Sequence, residues 1–166
     1  MQFPIGLKQA VAVCILRSDA GFLLLHRSKA PHIGKYIPVG GRLDPHETPE
    51  QAVIREIYEE AGVIIDTVRL CGIVTETSPV DYNFVLYVYT AESDAFTPPD
   101  CDEGRLEWVQ PDRIARLPIP ETDPFIYDFV LHGEFFVFDA IYDDNIKLVK
   151  LEDKLNSQVL FERRNI

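Results

Sequence analysis

The sequence is short of cysteine and of basic residues, and each shortage excludes a class of protein. Its three cysteines, Cys14, Cys71 and Cys101, are odd in number, widely spaced and never in a CxxC pair. This pattern favours neither a disulfide framework nor a zinc site, so we expect free thiols. The sequence has only 16 Lys and Arg residues but 27 Asp and Glu residues, which gives a formal net charge of -11. Because basic residues supply most of the affinity for phosphate backbones, this balance argues against a groove for long nucleic acid.

Long apolar runs, internal repeats and low-complexity linkers are also missing. No stretch could cross a bilayer, and the first residues lack a basic segment followed by an apolar run, so we expect no membrane partner and a cytoplasmic location. The 166 residues, 46% of them apolar, are enough for one ordinary core. We predict a single domain over residues 1–166, with its core at about 9–151 and a C-terminal tail at 152–166. A homodimer stays open, because dimers are the commonest assembly.

Residues 40–63, GGRLDPHETPEQAVIREIYEEAGV, join a glycine turn to a short helix. Thr48 as the N-cap, Pro49 at the first helical position and Gln51 in a capping box predict where the helix begins, and Gly62 predicts where it ends. At about 100° per residue, the helix has an apolar face beside a solvent-exposed acidic cluster. The apolar face comprises Val53, Ile54, Ile57, Tyr58 and Ala61, and the acidic cluster comprises Glu56, Glu59 and Glu60.

The acidic cluster predicts a bound cation. Three carboxylates at positions i, i+3 and i+4 repel one another on a bare helix. Mg²⁺ binds a few carboxylates together with waters and substrate phosphates, so the cluster suits a magnesium site. Gly40 and Gly41 allow the backbone to approach a metal or a phosphate, and the Gly40 carbonyl could be a ligand. The alternative from the residues alone is a solvated acidic helix face, which is common.

The full spacing of this segment resembles the Nudix box without a departure. The matching positions are Gly41, Glu47 six residues later, and, after seven more residues, the run Arg55-Glu56-Ile57-Tyr58-Glu59-Glu60-Ala61-Gly62-Val63. The resemblance implies an α/β Nudix fold, an α/β/α sandwich with a mixed β-sheet. It also implies hydrolysis of a nucleoside diphosphate linked to another group.

The resemblance also implies roles for individual residues. Glu56, Glu59 and Glu60 match the metal ligands of the family, with Mg²⁺ as the cofactor and Mn²⁺ as a substitute. Arg55 and Glu47 match its structural ion pair, and Arg55 joins the catalytic set.

The order of the predicted strands and helices is similar to that of the MutT-like branch of the family. This resemblance implies cleavage of a nucleoside triphosphate to monophosphate and pyrophosphate. In that branch a glutamate shortly before a tryptophan is a further metal ligand or base. Glu103, five residues before Trp108, matches best, and Glu107 is the competitor. Glu59, Glu60 and Glu103 are therefore all candidates for the group that takes a proton from water. Hydrolysis of ADP-ribose or a nucleotide sugar, and a non-catalytic regulatory domain, are the alternatives.

Four residues are candidates for substrate binding, although the base itself stays open. Arg27 could contact phosphate, but a surface charge at a strand end is the commoner explanation. Lys35 and Tyr36 could meet a nucleotide by charge and by stacking. Ile37 stands where some oxidised-purine hydrolases have an asparagine, and it has no donor or acceptor with which to recognise a base. The acidic residues that follow a tryptophan-proline pair in some relatives are matched only loosely, by Glu121 and Asp123 after Pro120.

Apolar periodicity and turn residues predict the remaining elements, which suggest a mixed sheet between helices. His32, His46 and His132 are isolated, and we expect them to be surface or capping residues. The predicted strands are 9–16, 22–27, 63–74, 82–90, 103–109, 135–142 and 146–151, and the predicted helices beyond the box are 111–117 and 125–131.

Overall fold

The computed structural model describes residues 6–164, and its strands form one continuous nine-stranded sheet. The strands are β1 (Gln9–Ser18), β2 (Gly21–Arg27), β3 (Tyr36–Arg42), β4 (Arg69–Thr77), β5 (Phe84–Glu92), β6 (Gly104–Val109), β7 (Phe136–Tyr142), β8 (Leu148–Asp153) and β9 (Gln158–Glu162). The helices are α1 (Pro49–Ala61), α2 (Pro111–Ile114) and α3 (Asp123–His132).

The sheet is mixed, with the strand order β6-β2-β3-β1-β5-β4-β7-β8-β9. β1 runs parallel to β5 and β4 runs parallel to β7, whereas the other neighbouring strands are antiparallel. The predicted hairpin of β1 and β2 is closed by the pairs Arg17 with Phe22 and Ser18 with Gly21. Beyond this turn the two strands separate, and β3 lies between them.

The core has two layers, one on each face of the sheet. On one face α1 buries Ala52, Val53 and Ile57 in a cluster with side chains of β1, β2 and β3. On the other face α3 buries Ile126 and Val130 in a cluster that includes side chains of β7 and β8. Each large apolar side chain buried in this way stabilises the fold by roughly 1.5–3 kcal/mol. The predicted α/β/α sandwich with a mixed sheet is therefore confirmed.

The signals at the ends of α1 are confirmed in detail. The Thr48 hydroxyl accepts from the Gln51 amide at 3.2 Å, and the Gln51 side chain accepts from the Thr48 amide at 2.9 Å. Gly62 ends the helix with a φ of 70°, a left-handed conformation that glycine adopts without strain. The three cysteines are free thiols, as expected.

Two expectations about secondary structure are wrong, and the tail, for which no structure was predicted, adds a strand. Gly40 and Gly41 do not form a turn: they are part of β3 and pair with Val13 and Ala12 of β1. The strand predicted at 63–74 begins only at Arg69, because residues 63–68 carry no ladder to a neighbouring strand. The sheet also continues beyond the predicted core limit of residue 151, since β9 in the tail pairs with β8.

Candidate active site

The glycine pair of β3 allows two glutamates of α1 to lie against the strand. The Gly40 amide donates to Glu60 Oε2 at 3.1 Å. A Cβ on Gly41 would overlap the carboxylate of Glu56, and a Cβ on Gly40 would overlap the backbone of β1. The missing side chains therefore create the space in which these carboxylates lie.

The predicted acidic cluster is not wholly exposed, because α1 is rotated relative to the expected face. Glu60 is only 7% exposed and belongs to the buried face, whereas Tyr58, predicted to be apolar core, is 57% exposed. Burial, with smaller contributions from Glu56 and Glu103, raises the pKa of Glu60 to about 8. A carboxylate in this position favours a bound proton or a nearby cation.

Arg55 connects the loop before α1 to the helix. Its Nε lies 2.8 Å from Glu47 Oε1 and its Nη2 lies 2.9 Å from Glu47 Oε2, which is a two-point ion pair. Its Nη1 lies 2.9 Å from Glu56 and 3.1 Å from Glu59. Its Nε also lies 3.4 Å from Asp44 Oδ2, so the guanidinium lies among four carboxylates and fixes their spacing.

Glu103 lies in the same cleft as the α1 glutamates. Its carboxylate lies 3.0 Å from Nη2 of Arg27, whose side chain is only 12% exposed. Arg27 also donates to the carbonyls of Lys29, Ala30 and Pro31, so it is not merely a surface charge at the end of a strand. Glu107, the competitor of Glu103, lies on β6, pairs with Arg105 and Arg113, and is not part of the cleft lining.

The cleft has a volume of about 770 Å³. Its apolar walls include Val11, Val13 and Leu86 of the sheet. Of the predicted substrate residues, Arg27 and Ile37 line it, but Lys35 and Tyr36 do not. The Tyr36 ring instead stacks on His26, with centroids 4.4 Å apart. The structure therefore brings two of the four predicted substrate residues to the cleft.

A second group of polar residues lines the cleft, and sequence reasoning missed most of it. Glu76, Tyr82, Asp123 and Tyr127 are all buried. Tyr82 contacts Nε2 of His32 through its hydroxyl at 3.1 Å, so His32 belongs to the cleft and is not the isolated surface residue we expected. Of these four residues, the sequence singles out only Asp123, as a loose match to the acidic residues that follow a tryptophan-proline pair in some relatives. Acidic and aromatic side chains inside strand and helix patterns give no sequence signal that they face a cavity.

As placed, the carboxylates do not form a closed metal cage. Within residues 6–164, no three His, Cys, Asp or Glu side chains are arranged so that they could bind a metal ion. Arg55 contacts both Glu56 and Glu59, and the Glu59 side chain is 55% exposed. The donors are oxygens of the kind that hard divalent cations prefer, and Glu59 is exposed enough to turn. The residues therefore fit a site that a cation would complete together with phosphate and water.

The geometry of the box and cleft agrees with comparisons to known proteins. A NUDIX domain model matches residues 6–130. This chain belongs to the Nudix family. The uncharacterized Nudix hydrolase YvcI of Bacillus subtilis is 29% identical over 131 residues, which cover 76% of this chain and 81% of YvcI.

Two further similarities place the Nudix chain near MutT. A Mycobacterium tuberculosis protein provisionally named 8-oxo-dGTP diphosphatase 3 is 36% identical over 104 residues, which cover 58% of this chain and 48% of that protein. This chain thus matches only about half the length of that relative. The crystal structure of the MutT protein from Bacillus halodurans has a TM-score of 0.78 at 25% identity, covering 89% of this chain and 98% of that one. The chain is a Nudix hydrolase of the MutT-like type. Among its described residues, no helix is both long and apolar enough to span a membrane.

Proposed function

We propose that this Nudix hydrolase uses Mg²⁺, with Mn²⁺ as a substitute, to cleave a nucleoside triphosphate to the monophosphate and pyrophosphate. The observation that carries the proposal is that one cleft is lined both by Glu56, Glu59, Glu60 and Glu103 and by apolar side chains of the sheet. Its volume of about 770 Å³ lies in the usual range for small-molecule sites. The name of the mycobacterial relative supports a nucleotide substrate.

The metal would be held by oxygens of α1, of β3 and of the segment just before β6. We assign Glu56, Glu59, Glu60 and the Gly40 carbonyl on the α1 side, and Glu103 across the cleft. The high pKa of Glu60, caused mainly by burial, supports this assignment because a nearby cation would favour its charged form. When bound, a divalent cation neutralises the diphosphate and makes a water molecule more acidic.

The remaining roles fall to side chains of the protein. Water attacks phosphorus, a phosphoanhydride P–O bond breaks, and a carboxylate among Glu59, Glu60 and Glu103 takes the proton from the attacking water. Arg55 fixes the spacing of the α1 carboxylates through its contacts with Glu56 and Glu59. Arg27 lines the cleft and can meet the phosphates while it restrains Glu103. Ile37 supplies apolar surface without a hydrogen bond to the base.

A product assay tests the proposed function. The purified chain is incubated with Mg²⁺ or Mn²⁺ and a panel of dGTP, 8-oxo-dGTP, CTP, ADP-ribose and a UDP-sugar, and pyrophosphate, phosphate and monophosphate are measured. We expect pyrophosphate from triphosphates. We also expect Glu59→Gln and Glu60→Gln each to remove most of the activity, whereas Tyr58→Phe, an exposed change on the same helix, should leave it intact.

Other products would contradict the proposal in distinct ways. Monophosphate without pyrophosphate, formed only from ADP-ribose or a sugar nucleotide, would assign the cleft to nucleotide sugars. No product from any member of the panel would indicate a regulatory Nudix domain. Near-normal turnover in both the Glu59 and Glu60 variants would refute the metal assignment even if triphosphates were cleaved.

A further inference from the structure

Strand β7 is apolar on both of its faces, but only one of them is covered by the core. Phe136, Phe138 and Ala140 are buried in the cluster that includes the side chains of α3. Val137 and Ile141 alternate with them and therefore point to the opposite face of the sheet. Among residues 6–164, these two side chains belong to neither apolar cluster of the core. Apolar side chains on both faces of a strand are typical of a strand that is covered on both sides.

The register of the sheet extends this apolar surface over neighbouring strands, because paired residues lie on the same face. Val137 pairs with Ile73 of β4. Thr75 of β4 pairs with Val85 of β5 on one side and with Asp139 on the other, and this row continues through Glu152 to Val159 of β9. The apolar residues of this surface, which we call the open face, are Ile73, Val85, Val137, Ile141 and Val159.

The helix layer on this side of the sheet ends before the open face begins. The cluster that contains α1 extends over β1, β2 and β3 and reaches Tyr87 of β5, which packs against its edge. Ile73 is the partner of Tyr87 on the next strand and does not belong to that cluster. Ile141 is 45% exposed and Val159 is 47% exposed, whereas the other three residues of the open face are half-buried by their neighbours in the sheet. A contiguous apolar surface of this kind marks a site of protein interaction.

The charges around the open face balance one another. Lys8 donates to the Thr77 hydroxyl at 2.8 Å, Lys150 lies 2.6 Å from Glu152, and Lys154 lies 3.5 Å from Glu152. The charged residues of the rim are Lys8, Lys150 and Lys154 on the positive side and Asp139, Glu152 and Glu162 on the negative side. The rim is therefore neutral, and the formal charge of -11 comes from the rest of the chain.

We propose that the open face binds the open face of a second copy of this chain, so that two sheets pack face to face about a two-fold axis. An interface of this symmetry uses the same surface on both copies, and here each copy offers three lysines to the three acids of the other. Elsewhere two copies of an acidic chain repel one another, whereas the neutral rim lets their apolar centres meet.

The interface does not depend on the proposed function. Leu86, a wall of the cleft, is the neighbour of Val85 in β5 and so points to the other face of the sheet. Two sheets packed through the open face lie about 10 Å apart, and the cleft of each copy lies on its outer side.

The molar mass of the full chain in solution tests the proposal. Sedimentation equilibrium is measured at concentrations from about 1 to about 500 µM, which spans the range in which weak dimers form and dissociate. We expect the mass to rise from that of one chain to that of two. No nucleotide or metal is added, so the measurement is independent of turnover.

Substitutions at one position of the open face assign the dimer to this surface. Ile141→Glu places an unpaired carboxylate in the interface of both copies, so we expect the dissociation constant to rise at least about tenfold. Ile141→Ser removes apolar surface without adding charge and should weaken the dimer less. Leu131→Glu is the matched control, because Leu131 is 46% exposed but lies on α3, on the other side of the sheet. The control should dimerise like the parent, and thermal unfolding of each variant confirms that the fold is intact.

The outcomes separate this inference from the proposed function. A parent chain that stays monomeric at about 500 µM would overturn the proposal, and the open face would then belong to a partner of different sequence. A dimer that Leu131→Glu weakens and Ile141→Glu does not would also overturn it, because another surface would then form the interface. A chain that dimerises through the open face but hydrolyses no triphosphate would support this inference and refute only the proposed function.

Discussion

Arg55 and Glu47 form a two-point ion pair, with Nε to Oε1 at 2.8 Å and Nη2 to Oε2 at 2.9 Å. The Arg55 guanidinium lowers the pKa of Glu47, chiefly through these hydrogen bonds. Glu47 also accepts from the Asp44 amide, and Arg55 donates to the Arg42 carbonyl, so the pair connects β3 and the following loop to α1. The spacing of Glu47 and Arg55 in the box therefore lets these two residues link the loop to the helix by one ion pair.

We predict that Arg55→Lys lowers the free energy of unfolding by about 1–3 kcal/mol, because lysine cannot make the two parallel hydrogen bonds. Activity should fall at least about tenfold as well, since Glu56 and Glu59 lose their common partner. Urea unfolding and turnover measure the two effects. Arg105→Lys, an exposed change on β6, is the control and should change stability by less than about 0.5 kcal/mol. A stable Arg55→Lys variant would contradict the cross-link.

The neighbouring glycines of β3 should respond differently to alanine. In Gly41→Ala the new Cβ would meet the Glu56 side chain, so we predict a loss of activity of about tenfold or more with a small change in stability. In Gly40→Ala the Cβ would meet the backbone of Ala12 and Val13, and the φ of 154° adds strain, so stability itself should fall by about 2 kcal/mol or more. Turnover and urea unfolding of both variants would reveal the contrast. Equal losses of stability would contradict it.

Metal-free protein should lose stability between about pH 5 and pH 8 because of Glu60. Burial raises the pKa of Glu60 from 4.5 to about 8, so the folded protein retains a proton that the unfolded chain has released. This contribution to stability is complete below the unfolded pKa and is lost as the pH rises through the folded pKa.

Glu60→Gln, which cannot ionise, tests this pH dependence. In the presence of a chelator, this variant should be more stable than the parent at pH 8.5 by about 1–3 kcal/mol, but not at pH 4.5. Chemical unfolding at a series of pH values measures the difference. Added Mg²⁺ should raise the stability of the parent at high pH and not that of the variant. Glu92→Gln, at an exposed position, is the control. If the free energy of unfolding changed with pH in the same way for the parent and for Glu60→Gln, the assignment of this pH dependence to Glu60 would be contradicted.

Glu103 and Glu107 are competing candidates for the same role, so the same substitution at each position compares them directly. Glu103→Gln should lower kcat by at least about tenfold, or roughly 1.4 kcal/mol of barrier, because the side chain lines the cleft. Glu107→Gln removes only charges that pair with Arg105 and Arg113 on the surface, so its kcat should stay within about twofold of the parent. Steady-state kinetics on the best substrate decides between them. A damaged Glu107 variant with a normal Glu103 variant would reverse the assignment.

Local signals in the sequence predicted α1 well because its ends depend on neighbouring residues. Thr48, Gln51 and Gly62 act within one helical turn, and their bonds appear as expected. The orientation of α1 was predicted less well: Glu60 is buried because its partner is the Gly40 amide, 20 residues away. The predicted buried face was chosen from the helical spacing of apolar residues. It therefore included Tyr58 and excluded Glu60.

The unpredicted parts depend on contacts that are distant in sequence. β9 is short, and most of its residues are polar or exposed. It forms a strand because its backbone pairs with the edge of β8. Asp123 and Tyr127 look like ordinary residues of a short amphipathic helix. Their place in the cleft wall becomes visible only when α3 is packed beside β1 and β5.

The parallel pairing of β1 with β5 also affects how the chain can be synthesised. Gln9 pairs with Phe84 and Arg17 with Glu92, so β1 has no partner on that side until residues up to 92 have been made. A nascent chain that already contains the whole Nudix box therefore presents an apolar strand with an open edge, a form of chain that is prone to aggregate. Cooperative folding must wait until β5 has been made, so the catalytic segment depends on a strand that is translated after it.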